Sequence, residues 1–393
     1  MPEAPQRPCH LTQALGMDHV WTSRTSRCTI RRLMASFGRR WIVLFALLLL
    51  MALTPVGTAV GAGAGALEIY FIDVEGGQAT LLVTPAGESM LIDAGYGPRG
   101  ARGAIPAVPN GRDAGRILAA IKEAGLERLD YLLITHFHPD HVGGVPELAS
   151  RIPIGTFIDY GTPLGTDRMA ANGFRNYEPV RLTGRHVEAR AGDRIPLKGV
   201  DADIVSAGGT LIGKAIGDGG ETNSACKGLE DHPEDGTENF RSVGVIFRYG
   251  AFRFLDLGDL SGMTLTRLAC PKNLLGRVSA YLIAHHGDYD SNVPALYAAL
   301  RPRVAIMNNG VTRGGSPDAF QTLRAEPAIE DVWQLHFSQN PGALNSADQL
   351  IANVDDGSMT SYALRLTAYD DGTFRIINAR TGFSKTYGKK VSR

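Results

Sequence analysis

Three apolar, alternating segments open the patterned part of the chain: LEIYFID (67–73), ATLLVTP (79–85) and SMLIDAG (89–95). Gly-rich and Pro-Ala-Gly turns separate them, so they predict a strand meander. GRILAAIKEA (115–124) repeats its apolar positions at helical spacing, and DYLLI (130–134) reads as a buried strand. Further strands are expected at 154–159, 201–206, 243–248, 251–257, 278–284 and 303–308, with helices at 292–300 and 317–325. A last hairpin, SYALRLTAY then TFRIINA, turns at Asp371-Gly372. Strands in runs with helices between some of them imply sheet packed on sheet, covered by helices. Two stretches carry no regular pattern, 97–112 and the Gly-, Asp- and Glu-rich loop 207–238; loops of that length are functional or disordered, and 207–238 reads as a lid.

The N-terminus follows other rules. WIVLFALLLLMAL (41–53) lies between Arg39-Arg40 and a small-residue tail, the order of a secretory signal peptide, with Met34 a better start than Met1. Its 13 residues are short for a membrane span of about 20, although the weaker tail could extend it into an uncleaved anchor. The expected organisation is a leader over 1–66 and one domain over 67–393. The product is then exported, periplasmic or extracellular, and meets a membrane only if the leader is retained.

Setting the leader aside changes the charge. Of 40 basic and 40 acidic residues, residues 1–66 hold seven Arg and two acids, which leaves 33 against 38 and a net charge of about −5. A mildly acidic body argues against tight nucleic-acid binding. Cys226 and Cys270 are the cysteines of the body, either a disulfide in an oxidising compartment or two buried thiols.

The densest chemistry follows the strand at 130–134, in THFHPDHVGG (135–144). In extended chain alternate side chains share a face, so His136, His138 and Asp140 can converge. Pro139 forces a turn that brings His141 in from another side. Imidazole and carboxylate are ligands for zinc and similar divalent ions. Five of the eight histidines after residue 66 lie in this motif and in YLIAHHGDYDS (281–291), which is not the scatter of a solvated loop. FLDLGDLSG (254–262) is another strand followed by a ligand-type residue, Asp259. Asp93, at the end of LIDAG, is placed to orient a ligand histidine.

The spacing His-x-His-x-Asp-His, then Gly-Asp, then His-His-Gly resembles the metallo-β-lactamase-fold hydrolase superfamily. Within it, DVEGGQATLLVTPAGESMLIDAG, ENFRSVGVIFRYGAFRFLDLGDL and AHHG are most similar to the hydrolase-like domain of competence DNA-uptake channel proteins, over about residues 68 to 312. The resemblance implies an α/β (α+β) αββα four-layer sandwich with a metal site where the sheets meet. It implies His136 and His138 on a first ion, Asp140, His141 and His285 on a second, and Asp259 bridging. Zinc is the expected ion, one or two of them, with manganese an alternative. His286, beside the ligand His285, becomes an acid or hydrogen-bond donor, and Asp140 or His286 handles protons.

This chain departs from the superfamily pattern. Where a further first-ion histidine is expected it has Thr237-Glu238-Asn239, leaving His232 or His186 as substitutes and one ion as an alternative to two. Gly76-Gly77-Gln78-Ala79 lacks a carboxylate, and Ser316-Pro317 lacks an imidazole. A bound divalent ion lowers the pKa of a coordinated water toward about 7, so the expected activity is hydrolysis. Phosphodiester or phosphoester bonds come first, as the narrower resemblance implies. Lactones, lactams and other carboxylic esters or amides are the alternative, and a non-catalytic metal-binding module is the third reading.

Overall fold

The computed structural model describes residues 65–98, 111–228, 236–355 and 358–388. The apolar leader, most of 97–112 and His232 lie outside them. The described residues fall in one compact unit, Ala59–Arg393.

The meander forms as the pattern predicts: β1 (Leu67–Phe71), β2 (Thr80–Val83) and β3 (Ser89–Ile92) pair antiparallel. β4 (Leu129–Leu133), β5 (Ile154–Asp159) and β6 (Arg185–Glu188) continue the sheet in parallel. On the other side β1 pairs with β16 (Leu364–Ala368), which leads to β17 (Phe374–Asn378) and β18 (Ser384–Tyr387). The final hairpin therefore extends the first sheet.

The second sheet runs from β7 (Arg194–Ile195) through β8 (Asp201–Ala207), β10 (Gly244–Tyr249) and β11 (Phe252–Asp256). It continues in parallel through β12 (Ala280–Leu282), β13 (Val304–Met307), β14 (Asp331–His336) and β15 (Ile351–Asn353). β9 (Thr210–Leu211) pairs with β8 at its margin.

The second sheet is buried on both faces, which is why its strands are continuous apolar runs. Phe247, Phe254, Leu282 and Ile306 face the first sheet, where Phe71 and Phe254 meet edge to face with ring centroids 5.6 Å apart. Their neighbours Ile246, Leu255, Tyr281 and Met307 point the other way, into a second core with Leu265, Leu296 and Phe320 of the covering helices. The period of two thus supplies both faces at once. The result is the expected mixed α/β arrangement of two sheets with helices, consistent with the metallo-β-lactamase fold.

Several elements differ from the pattern. The first helix begins at Arg112, with Gly111 before it in the left-handed region at φ 79°. The helix Arg168–Arg181 carries Pro179 and few apolar residues, so its amphipathic signal is weak. β14 and β15 were not legible. Loop 207–238 is not structureless where it is described. Ile216 N donates to Leu274 O, Gly220 N to Asn273 O and Asn223 N to Pro271 O, and Cys226 forms a disulfide with Cys270. Its near half is stitched to the segment after the helix Gly262–Ala269.

Candidate metal centre

Parallel strands put their C-terminal ends on one edge, and the ligand-type residues follow those ends. Asp93 follows β3, His136–His141 follow β4, Asp259 follows β11 and His285-His286 follow β12. The three segments named from sequence converge. Asp259 Oδ2 lies 3.1 Å from His141 Nε2, 3.4 Å from His286 Nε2, 3.7 Å from His285 Nε2 and 3.8 Å from His136 Nε2. Asp140 Oδ2 lies 3.5 Å from both His141 Nε2 and His286 Nε2. Ligand atoms of Asp140, His141, Asp259 and His286 all lie within 4.8 Å of one another.

His286 belongs to this tight quartet, while His285, the position the resemblance marks as a ligand, stands slightly further out. Both have left-handed backbone, φ 47° and 55°, so the chain turns sharply and aims two adjacent imidazoles inward. His186 is elsewhere, its Nε2 3.1 Å from Asp159 Oδ1 in a cluster with Tyr177 and Arg181.

The donors fit a cation. His136 Nε2, Asp140 Oδ2, Asp259 Oδ1 and both nitrogens of His286 are buried without a hydrogen-bond partner, an arrangement that costs free energy unless something else satisfies them. Electrostatics point the same way. Burial alone would keep His141 neutral, but Asp259, Asp140 and Asp93 outweigh it and push the imidazole well above its ordinary range. Burial raises Asp259, yet the surrounding imidazoles of His141, His286 and His285 hold it well below the usual carboxylate range. His136 is driven low by burial and by His141 and His138, which leaves its ring a neutral donor.

Three histidines are held from behind by carboxylates, the usual device for fixing a ligand tautomer. Asp93 Oδ2 lies 2.6 Å from His141 Nδ1 and also takes Thr135 Oγ1 at 2.6 Å. Asp167 Oδ2 lies 2.8 Å from His138 Nε2, and Asp290 Oδ1 lies 2.7 Å from His285 Nδ1. Asp93 was legible as a strand-end carboxylate; Asp167 and Asp290 were not. Asp167 reads only as an N-cap, and it does accept from Met169 N and Ala170 N.

The segment lacking the expected histidine does approach the site. Asn239 Nδ2 lies 3.4 Å from His285 Nε2, whereas the buried Glu238 carboxylate takes Tyr160 OH at 2.5 Å and Leu164 N at 2.9 Å. The Gly76-Gly77 turn lies against the ligand loop, with Gln78 N donating to Asp140 O at 3.1 Å. Arg313, unmarked by sequence reasoning, puts Nη2 2.5 Å from Asp140 Oδ2. Burial raises Asp140, but Arg313 and then His141 outweigh it and hold the carboxyl well below its usual range.

Residues 72–210 match the family model described as the metallo-beta-lactamase superfamily. A 41-residue stretch, 10% of this chain, is 56% identical to a hydroxyacylglutathione hydrolase of Aliivibrio salmonicida (strain LFI1238) and spans 16% of that relative's length. Among solved structures, the metallo-beta-lactamase fold protein YhfI from Bacillus subtilis is 9% identical with a TM-score of 0.38, over 71% of this chain and 97% of that one. CmlA, a diiron beta-hydroxylase from Streptomyces venezuelae, is 16% identical with a TM-score of 0.36, over 68% and 47%. The family-model match contains the His136–His141 loop and supports the metallo-β-lactamase superfamily for this chain.

Proposed function

We propose that this chain is a hydrolase whose site holds a divalent cation between Asp140, His141, Asp259 and His285, with His136, His138 and His286 beside it. The observation that carries this reading is the convergence of buried, unpartnered ligand atoms from three strand ends. The ion is zinc or manganese, one or two per chain, and it would supply Lewis acidity and the activation of a water. Asp93, Asp167 and Asp290 orient His141, His138 and His285 as ligands. Asp140 stays ionised and can accept a proton, and the untethered His286 can donate one.

The substrate class is a phosphodiester or phosphoester, as the resemblance to the competence-type domain suggests. A small one suits the acidic body better than a long nucleic acid. The local likeness to a hydroxyacylglutathione hydrolase favours a second reading, a carboxylic ester or related acyl bond. Export fits the Cys226–Cys270 disulfide, since such bonds persist in oxidising compartments.

Metal analysis of the purified chain and a panel of bis-p-nitrophenyl phosphate, a lactone and nitrocefin with Zn²⁺ or Mn²⁺ test the proposal. Phosphodiester turnover with bound metal supports it. Turnover of the lactone alone moves the assignment to the acyl class. Stoichiometric metal without turnover makes the chain a metal-binding module, and absence of metal removes the reading altogether.

A further inference from the structure

Arg313 comes from a Gly-rich loop, GVTRGGS (310–316), between β13 and the helix Pro317–Ala325. The loop is fixed from both sides. Gly310 N donates to Arg313 O at 2.9 Å and Gly315 N donates to His286 O at 2.9 Å. A Cβ on Gly76 would stand 2.7 Å from Arg313 Cβ, and one on Gly314 would stand 2.2 Å from His286 O. The side chain is therefore placed by close backbone approach. Arg313 Nη1 also meets Tyr96 OH at 3.4 Å.

Its exposure sets it apart from the cluster it touches. The Arg313 side chain is 32% exposed, against 2% for Asp140 and 0% for Asp259. It stands at the mouth, with one end of the guanidinium on Asp140. Nη2 forms an ion pair with Asp140 Oδ2 at 2.5 Å, and Nη1 reaches only the Tyr96 hydroxyl, at 3.4 Å.

Charge decides what such a group is for. Asp140 and Asp259 together carry two negative charges, which one divalent cation balances. Asp140 then divides its charge between the cation and Arg313, and the guanidinium keeps N–H donors at the mouth for a further anion. A guanidinium presents a planar fork of donors that matches the oxygens of a phosphate, and such charge-assisted pairs are stronger than neutral ones. An uncharged ester offers those donors no charged oxygen.

We propose that Arg313 recognises the charge of the substrate by binding a non-bridging oxygen of a phosphoester held over the ligand cluster. This rests on the metal-hydrolase reading above and narrows it to anionic phosphoesters.

The test uses the metal-loaded full chain, wild type, Arg313→Ala and Arg313→Lys, with inorganic phosphate as the probe, read by calorimetry at fixed ionic strength. Metal per chain is measured on the same samples. The expected result is equal metal content and a phosphate Kd raised about tenfold or more in Arg313→Ala, the loss of one charged hydrogen bond. Arg313→Lys should fall between, since it keeps the charge and loses the fork. For bis-p-nitrophenyl phosphate, KM should rise by a larger factor than kcat falls. Unchanged phosphate affinity in Arg313→Ala, or no phosphate binding by the wild type, overturns the proposal while the metal reading stands. Loss of metal together with phosphate in Arg313→Ala also overturns it, because Arg313 would then only position Asp140. A wild-type chain that takes up no metal sinks the underlying reading and this one with it.

Discussion

Asp290 Oδ1 lies 2.7 Å from His285 Nδ1, while neighbouring His286 has no hydrogen-bond partner on either ring nitrogen. Two adjacent imidazoles aimed at the same carboxylate, Asp259, are thus held very differently. The tether makes His285 the pre-organised ligand and leaves His286 free to move a proton.

Asp290→Ala should therefore weaken metal binding about 10- to 100-fold, the usual effect of removing a carboxylate behind a ligand histidine. Competition against a chromophoric chelator measures it. His285→Ala should do at least as much, whereas His286→Ala should retain metal and lose kcat. If His286→Ala empties the site and His285→Ala does not, the two roles are exchanged.

Asp259 is the carboxylate on which the other groups converge, so the stabilisation a metal brings should pass through it. A ligand at about 100 times its Kd stabilises a native state by about 2.7 kcal/mol. Chelation should accordingly lower Tm in the wild type, and Asp259→Ala should abolish the difference between chelated and metal-loaded melts. Equal Tm shifts in both proteins would mean the metal binds elsewhere.

Asp256 sits behind the site, its two oxygens 3.1 and 2.9 Å from Gln78 Nε2, and burial pushes its carboxyl up to about 7. A carboxyl raised in the folded state binds its proton more tightly there than in the unfolded chain. Its contribution is complete below the ordinary carboxylate pKa and is lost as pH rises through about 7. Stability of the chelated protein should fall between about pH 4 and 7 by a few kcal/mol on this account. Asp256→Asn should flatten that slope in denaturant titrations run across the range. A slope identical to wild type would assign it to other groups.

Gly77 lets two loops touch. A Cβ there would stand 2.4 Å from Asp140 O. Gly77→Ala should cost about 1–3 kcal/mol through overpacking. It should also reduce metal affinity by moving Asp140, which denaturant melts and metal titration read separately. Wild-type behaviour in both would show that the turn can yield.

Strand periodicity made most of the fold legible. The runs at 67–71, 80–83 and 89–92 are buried at every position, and those at 244–249 and 252–256 place alternate apolar residues in two cores. The helix at 168–181 was hidden by Pro179 and by its polar composition, and β14 by its place in a parallel sheet reached only through tertiary pairing. Of the site, the histidines and Asp259 declared themselves by clustering after apolar strands. Asp167, Asp290 and Arg313 did not, since a carboxylate before a helix, an acid in a turn and an arginine among glycines each have an ordinary local role.

The chain by itself determined which side chains stand at the ends of which strands, because alternation along a strand and the turn after it are local properties. Only the tertiary structure decided which atoms face one another. Asp167 reaches His138 across 29 residues, Asp93 reaches His141 across 48 and Asp259 reaches His141 across 118. Arg313 meets Asp140 from the loop after β13. Such contacts are set by the order in which strands pair and by how closely glycine lets two loops approach, and no short window of sequence contains either.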